Sequence, residues 1–135
     1  MPFNIDAALG IHPQALALRA RRAEVLAANL ANSDTPNYKA RDIDFRAALS
    51  GAVAAQGTNG LTLAATDVAH QPGENGAGVN AALLYRTPMQ PSIDGNTVDQ
   101  HLEYSQFAQN ALQYQASLTF LGGRIKTLLT AIRGD

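Results

Sequence analysis

Residues 98–133 read VDQHLEYSQFAQNALQYQASLTFLGGRIKTLLTAIR, and apolar side chains return every seven residues in this stretch. Two such series, offset by three residues, form the a and d positions of a heptad repeat held over about four heptads. The positions of this seam are Tyr104, Phe107, Ala111, Tyr114, Leu118, Leu121, Ile125, Leu128 and Ile132. The pattern predicts a single C-terminal helix of roughly 50 Å that is committed to coiled-coil packing.

Both ends of this predicted helix carry terminal signals. Thr97 and Gln100 have the spacing of a capping box, acidic residues follow in the first turns, and basic residues lie in the last turns. Between Glu103 and Arg124 there is no charge, and the positions outside the seam are neutral amides and hydroxyls: Gln106, Gln109, Asn110, Gln113, Gln115, Ser117 and Thr119. Such a face is either plainly solvated or buried against other helices. Its length favours burial.

A second helix is predicted near the N-terminus, over residues 12–32, with Pro13 in its first turn. Its apolar residues fall on two nearly opposite sides, one containing Leu16 and Leu30 and the other Leu18 and Val25. A helix with two apolar sides has two partners. One is expected to be the C-terminal helix, and the other is either a neighbouring subunit or the rest of the same fold.

The centre, residues 33–97, is rich in turns. Pro36 and Asn37 suit the middle of a type II turn, with Asn37 at positive φ. Asp44 is placed to cap a short helix over residues 44–55, and brief strands are candidates at 61–64 and 83–86. The predicted fold is therefore a single, mainly α domain, 1–135, in which N- and C-terminal helices pack as a coiled-coil pair joined by a short irregular centre.

Composition limits the functional classes. The formal net charge is -1 and cysteine is absent, so no general field attracts nucleic acid and no thiolate metal site exists. The histidines His12, His70 and His101 stand far apart, and no carboxylate pair has a setting for acid and base work. The sequence thus predicts no enzyme, no cofactor, no metal and no small-molecule substrate.

Residues 28–39, ANLANSDTPNYK, carry a specific pattern, in which a helix end runs into a Thr-Pro turn. This run resembles the N-terminal signature of flagellar rod and hook proteins, with Asn37 where that family commonly has glycine. The signature residues are Asn29, Asn32, Asp34, Thr35, Pro36, Asn37 and Tyr38. Its continuation at 40–45, ARDIDF, and the runs at 85–88, 90–99 and 106–118 narrow the resemblance to one type of rod subunit.

The resemblance implies a structural subunit of the proximal rod in the bacterial flagellar basal body. Such a subunit assembles by helix packing with copies of itself and with FlgC, FliE and FlgF, next to the export gate and membrane ring. It transmits torque and lines the export channel. It also implies a periplasmic location reached through type III export, in keeping with an N-terminus that has no cleavable signal pattern. The alternatives are a soluble helical adaptor or chaperone of flagellar export, or another rod subunit such as FlgC.

Overall fold

Two long helices dominate the computed structural model, which describes residues 5–57, 81–88 and 92–134. The helices are α1 (Ile5–Leu9), α2 (His12–Ala31), α3 (Phe45–Gly57) and α4 (Gln100–Arg133), and the strands are β1 (Arg41–Ile43) and β2 (Leu83–Tyr85). The most extensive packing between elements is that of α2 against α4. The expected mainly α architecture, with N- and C-terminal helices around an irregular centre, is confirmed.

The N-terminal helix is preceded by a short one that the sequence pattern did not predict. Gly10, with φ at 62°, separates α1 from α2. A left-handed residue interrupts the helical hydrogen bonds and is readily adopted by glycine. Pro13 then lies in the first turn of α2, where its missing N–H costs nothing.

The start of α4 differs from the predicted capping box. Asp99 is the N-cap, and its carboxylate accepts hydrogen bonds from the backbone N–H groups of His101 (3.0 Å) and Leu102 (3.2 Å). Thr97 instead accepts from the N–H of Ala40 at 2.8 Å. The prediction of a Thr97–Gln100 box was wrong because the hydroxyl is used to hold the centre, and a better acceptor follows two residues later.

The centre contains a small antiparallel sheet in which β1 pairs with β2 in the register Asp42 opposite Leu84. Of the two strand candidates, 83–86 corresponds to β2, and 61–64 lies outside the described residues. After β1, Asp44 caps α3 by accepting from the N–H of Ala47 at 3.0 Å. The helix runs to Gly57, two residues beyond the predicted 44–55.

The hydrophobic core lies between α2 and this centre. Leu18, Val25 and Ile43 form a buried cluster, and the side chains packed against it are Phe45, Ala48, Leu49 and Ala81. The side of α2 that bears Leu18 and Val25 is thus covered by the same chain. The sequence left two alternatives for the second partner of this helix, a neighbouring subunit or the rest of the same fold. On this side of α2, the partner is the rest of the same fold.

Candidate assembly surface

The face of α4 that packs on α2 is polar. Asn110 donates to the backbone oxygen of Arg19 at 2.9 Å, and the Arg19 guanidinium donates to Gln113 at 2.5 Å and to Ser117 at 3.2 Å. One turn before Asn110 on α4, Gln106 accepts a hydrogen bond from Arg22 at 2.9 Å. Neutral amides therefore meet the arginines of α2 inside the chain, and much of the uncharged amide face is used within the monomer.

The predicted a/d seam lies on the flank of this contact and is largely open. Tyr104 is 63% exposed, Leu118 39% and Ile132 70%. Phe107, Ala111 and Ile125 are also exposed, whereas Tyr114, Leu121 and Leu128 are half-buried. The intrachain helix pair consequently leaves most of the seam without a partner among the described residues.

The four apolar residues of α2 that were predicted to contact other helices have different environments. Leu18 and Val25 are buried in the core, and Leu16 and Leu30 are half-buried. At 100° per residue, Leu16 and Leu30 lie on the side of α2 that also carries Ala23, which borders Phe107 and Ala111 of α4. Only this second side of α2 adjoins the open part of the seam.

Asn29 of the signature is fully buried and joins three segments. Its amide nitrogen donates to the carbonyl of Arg41 at 2.7 Å and to Glu103 at 3.2 Å. Its oxygen accepts from the N–H of Arg41 at 3.1 Å and from the Tyr38 hydroxyl at 3.5 Å. The side chain thereby pairs with the backbone of Arg41 as a neighbouring strand would, which ties α2 to β1 and α4.

The Thr-Pro turn closes on the loop before α4. The N–H of Tyr38 donates to Thr35 O at 3.3 Å across Pro36 and Asn37, and Asn37 has the expected positive φ, 62°. The N–H of Asn37 also donates to Asp94 O at 2.9 Å. Among the other signature residues, Asn32 ends α2 as its C-cap, and Asp34 is exposed.

Asn96 is the counterpart of this turn and is buried. Its amide nitrogen donates to three carbonyls of the turn that follows α2, those of Asn32 (3.1 Å), Ser33 (2.6 Å) and Thr35 (3.0 Å). The carbonyls of an irregular turn have no regular backbone partners, and this one buried amide group binds three of them. The two halves of the rod-type pattern, 28–39 and 90–99, therefore meet in space.

A cluster of two arginines and two carboxylates fastens the centre to the helix pair. Arg22 donates to Asp42 through two hydrogen bonds of 2.9 Å, and Arg86 donates to Asp42 at 2.6 Å and to Glu103. Burial opposes ionisation of Asp42, but hydrogen bonds from Arg22, the Ile43 N–H and Arg86 hold its pKa below the ordinary value. Burial raises the pKa of Glu103, against the effect of Asn29 and Arg86.

The described residues hold no cluster of three or more potential metal-ligating side chains. Within the same residues, no helix has the length and apolar character needed to cross a membrane. The features that organise this surface are therefore helix faces, a turn and a charge cluster.

Comparison with known proteins identifies the family to which this sequence is similar. Residues 9–39 match the flagella basal body rod protein family. The chain is 47% identical over 133 residues to the flagellar basal body rod protein FlgB of Salmonella typhimurium, covering 97% of this chain and 96% of the relative. The chain belongs to the FlgB family. The FlgB proteins of Escherichia coli K12 (48% over 132 residues; 96% of each chain) and Cereibacter sphaeroides ATH 2.4.9 (46% over 127; 94% of each) are similar to it along nearly the same length.

Membership in the FlgB family makes the chain a structural subunit of the flagellar basal-body rod. The resemblance drawn from the signature and its continuation is confirmed. Three functional-looking side chains escaped sequence reasoning individually: Asn96, Arg86 and Glu103. Asn96 and Arg86 lie in runs that resemble the family and Glu103 lies between two such runs, but their roles depend on contacts with residues 17 to 74 positions away. No local signal marks such partners.

Proposed function

We propose that the chain is a proximal-rod subunit that assembles through the open a/d seam of α4. The proposal rests on the orientation of this helix, whose polar side packs inside the chain and whose apolar side is exposed. Much of its polar face is hydrogen-bonded inside the chain, while Tyr104, Leu118 and Ile132 face outward. Contiguous apolar surface of this kind on a soluble chain marks an interaction site, since burying it against another helix is favourable by about 25 cal/mol per Å².

The absence of charge between Glu103 and Arg124 supports helix partners on more than one side. A charged side chain buried between subunits would need a partner in every copy, whereas neutral amides need only hydrogen bonds. We infer that copies of the same chain and the neighbouring rod proteins FlgC, FliE and FlgF supply these helices. The resulting helix bundle would transmit torque and surround the export channel.

The proposal includes a location. A proximal rod subunit stands in the periplasm next to the membrane ring and the export gate, and it reaches that place by type III export without cleavage of a signal. A soluble export adaptor would use the seam for one partner only. Similarity to FlgB rod proteins along nearly the whole chain favours the rod subunit over the adaptor and over FlgC.

The test introduces charge into the seam of α4 in cells that lack their own copy of this protein. Leu118→Asp should abolish basal-body rods and swimming, because a carboxylate at this position would be buried between subunits. Leu118→Asn has nearly the same shape without the charge and should retain more function. Gln113→Glu is the matched control, because residue 113 faces Arg19 inside the chain and a carboxylate would pair with it.

The measurements are swimming on soft agar and electron microscopy of purified basal bodies, with helix content of each purified variant as the folding control. Normal rods with Leu118→Asp would exclude the seam as an assembly surface. Loss of rods with Gln113→Glu but not with Leu118→Asp would place the interface on the opposite face.

A further inference from the structure

One apolar feature of the helix pair is concave. A groove of about 460 Å³ runs between α2 and α4, and the side chains on its two walls differ in size. Small residues of α2, Ala20 and Ala23, form one side, and Phe107, Ala111 and Tyr114 of α4 form the other. A groove walled by alanines allows another helix to approach closely, because no large side chain stands between the two backbones.

A second apolar feature of the same helix is convex and faces another direction. Leu112 is 74% exposed and Phe120 65%, and Ala116 between them is exposed as well. These residues are spaced by four, so they form one ridge of the kind that fits into the groove of a neighbouring helix. At 100° per residue, Leu112 lies about 100° around the helix from Ala111 and about 140° from Phe107.

A buried polar atom in the groove lacks a partner. Asn110 lines the groove and is 1% exposed, and its amide nitrogen donates to Arg19 O. Its oxygen, Oδ1, is the one buried side-chain acceptor in the described part of the chain without a hydrogen bond. Buried amide oxygens are rarely left in this state. A side chain of another copy reaches this oxygen only where the groove opens around it, and Gln109 and Thr119, which flank the ridge, carry suitable donors.

We propose that the Leu112–Phe120 ridge of one copy packs into the α2–α4 groove of the next copy. This inference rests on the proposed rod function and names the surfaces that meet. The occupant is a second copy because the same helix carries both halves of a matched pair, one concave and one convex, and neither half bears charge. The two surfaces are different, so the contact is heterologous and each added copy presents a fresh ridge and a fresh groove.

The repeat of this contact gives an open helical arrangement and not a closed dimer. In an isologous dimer the ridge of each copy would fill the groove of the other and both surfaces would be used, whereas a heterologous contact leaves one ridge and one groove free for further copies. The amide at position 110 sets the register between copies, as a single polar residue does in a coiled-coil seam.

The test uses cysteine cross-linking, which the chain permits because it has no cysteine of its own. Ala23→Cys places a thiol in the groove and Ala116→Cys places one on the ridge, and both exchanges preserve size. Basal bodies are purified from cells that contain only the double variant. They are then treated with an oxidant or with a short bis-maleimide, which spans geometries that a disulfide cannot.

The expected result is a ladder of dimer, trimer and larger species for the double variant, and monomer for each single variant. Ala28→Cys combined with Ala116→Cys is the matched control, because Ala28 is exposed and borders Tyr38 and Leu83 on another side of α2. This control should give no ladder.

Two outcomes would overturn the inference and leave the rod function standing. One is normal swimming by the double variant with no cross-link by either reagent. The other is a dimer as the largest cross-linked product, from the double variant or from a single variant, which would indicate an isologous contact. Absence of the unaltered chain from purified basal bodies would instead refute the proposed rod function.

Discussion

At the signature turn, Gly95 and Asn37 come together at the scale of single atoms. Gly95 has φ at 73°, and a Cβ added there would lie 2.6 Å from the side-chain oxygen of Asn37. Gly95→Ala should therefore lower the unfolding free energy for two reasons. The left-handed backbone costs roughly 1–2 kcal/mol for a residue with a Cβ, and the Asn37 side chain must also move away.

Asn37→Gly separates these two costs. Added to Gly95→Ala, it should restore the stability that was lost through the contact with Asn37, whereas the loss due to backbone strain should remain. The measurement is urea unfolding of the parent, the two single variants and the double variant. Gly10→Ala is the strain control, because Gly10 has φ at 62° with no atom within 4 Å of its added Cβ. Equal losses for Gly95→Ala with and without Asn37→Gly would show that the contact contributes nothing.

Asp42 should give the charge cluster a defined pH dependence. Its pKa is lowered in the folded chain, so its contribution is present above the ordinary value of 3.8 and is lost as pH falls through the folded value. Asp42→Asn should cost about 2 kcal/mol at neutral pH, because charged hydrogen bonds from Arg22 and Arg86 are lost. The difference between variant and parent should shrink below pH 3.8.

Helix content followed during urea unfolding between neutral and acidic pH measures this difference. Glu24→Gln is the control, because Glu24 pairs with Arg21 on an exposed surface and should contribute less than about 1 kcal/mol at any pH. If the difference in unfolding free energy between Asp42→Asn and the parent stayed constant at acidic pH, the ionised carboxylate of Asp42 would not be what stabilises the fold.

Residue-scale features were predictable where the signal was local. Positive φ at Asn37 and the cap at Asp44 follow from neighbouring residues, and both are present in the structure. At the start of α4 the sequence predicts a cap at Thr97, and nothing nearby in the sequence indicates that its hydroxyl is used elsewhere. Thr97 is committed to Ala40, and that contact spans 57 positions.

At the scale of elements, the heptad repeat predicted the long helix and its end at Arg133, but not which face would pack inside the chain. Apolar periodicity identifies the stripe that is buried in the final assembly, and it cannot tell a partner in the same chain from one in another. Here α2 presents Arg19 and Arg22 toward α4. The amides of α4 accept hydrogen bonds from these arginines, and most of the apolar stripe stays exposed in the chain.

The paired glycines in α4 give a prediction for this element. Gly122 and Gly123 lie inside the helix, and a Cβ at either position would meet open space in the monomer. Replacing each by alanine should stabilise the helix by about 1 kcal/mol per residue, seen as higher helix content of the purified chain. If neighbouring helices approach closely at these glycines, the same variants should swim poorly despite the gain in stability.

Gly51→Ala is the matched control, because it adds a Cβ in open space within α3. It should raise helix content without affecting swimming. Normal swimming with alanine at both 122 and 123 would show that the assembly leaves room for side chains there.

At the scale of the whole molecule, the intrachain contacts of α4 are concentrated in its first half. Hydrogen bonds to α2 involve Gln106, Asn110, Gln113 and Ser117, whereas after Leu121 the described tie to another helix is that of Arg124 to the carbonyl of Ala8, at 3.3 Å. These bonds are mostly between polar groups and each contributes only about 1 kcal/mol net. The second half of α4 is therefore held by fewer hydrogen bonds within the chain than the first half.

We expect folding of that half to be coupled to assembly. An isolated helical segment of about twelve residues is marginal in water, and ordering costs roughly 1–2 kcal/mol per residue unless apolar burial offsets it. In the dilute monomer, amide hydrogen exchange should be fast over residues 122–133 and slower over residues 103–117, and helix content should fall short of that in Gln100–Arg133 of the structure. In assembled rods, exchange over residues 122–133 should become slow and the helix content should rise. Uniform protection along α4 in the dilute chain, with a single sharp thermal transition, would show that the helix folds without its neighbours.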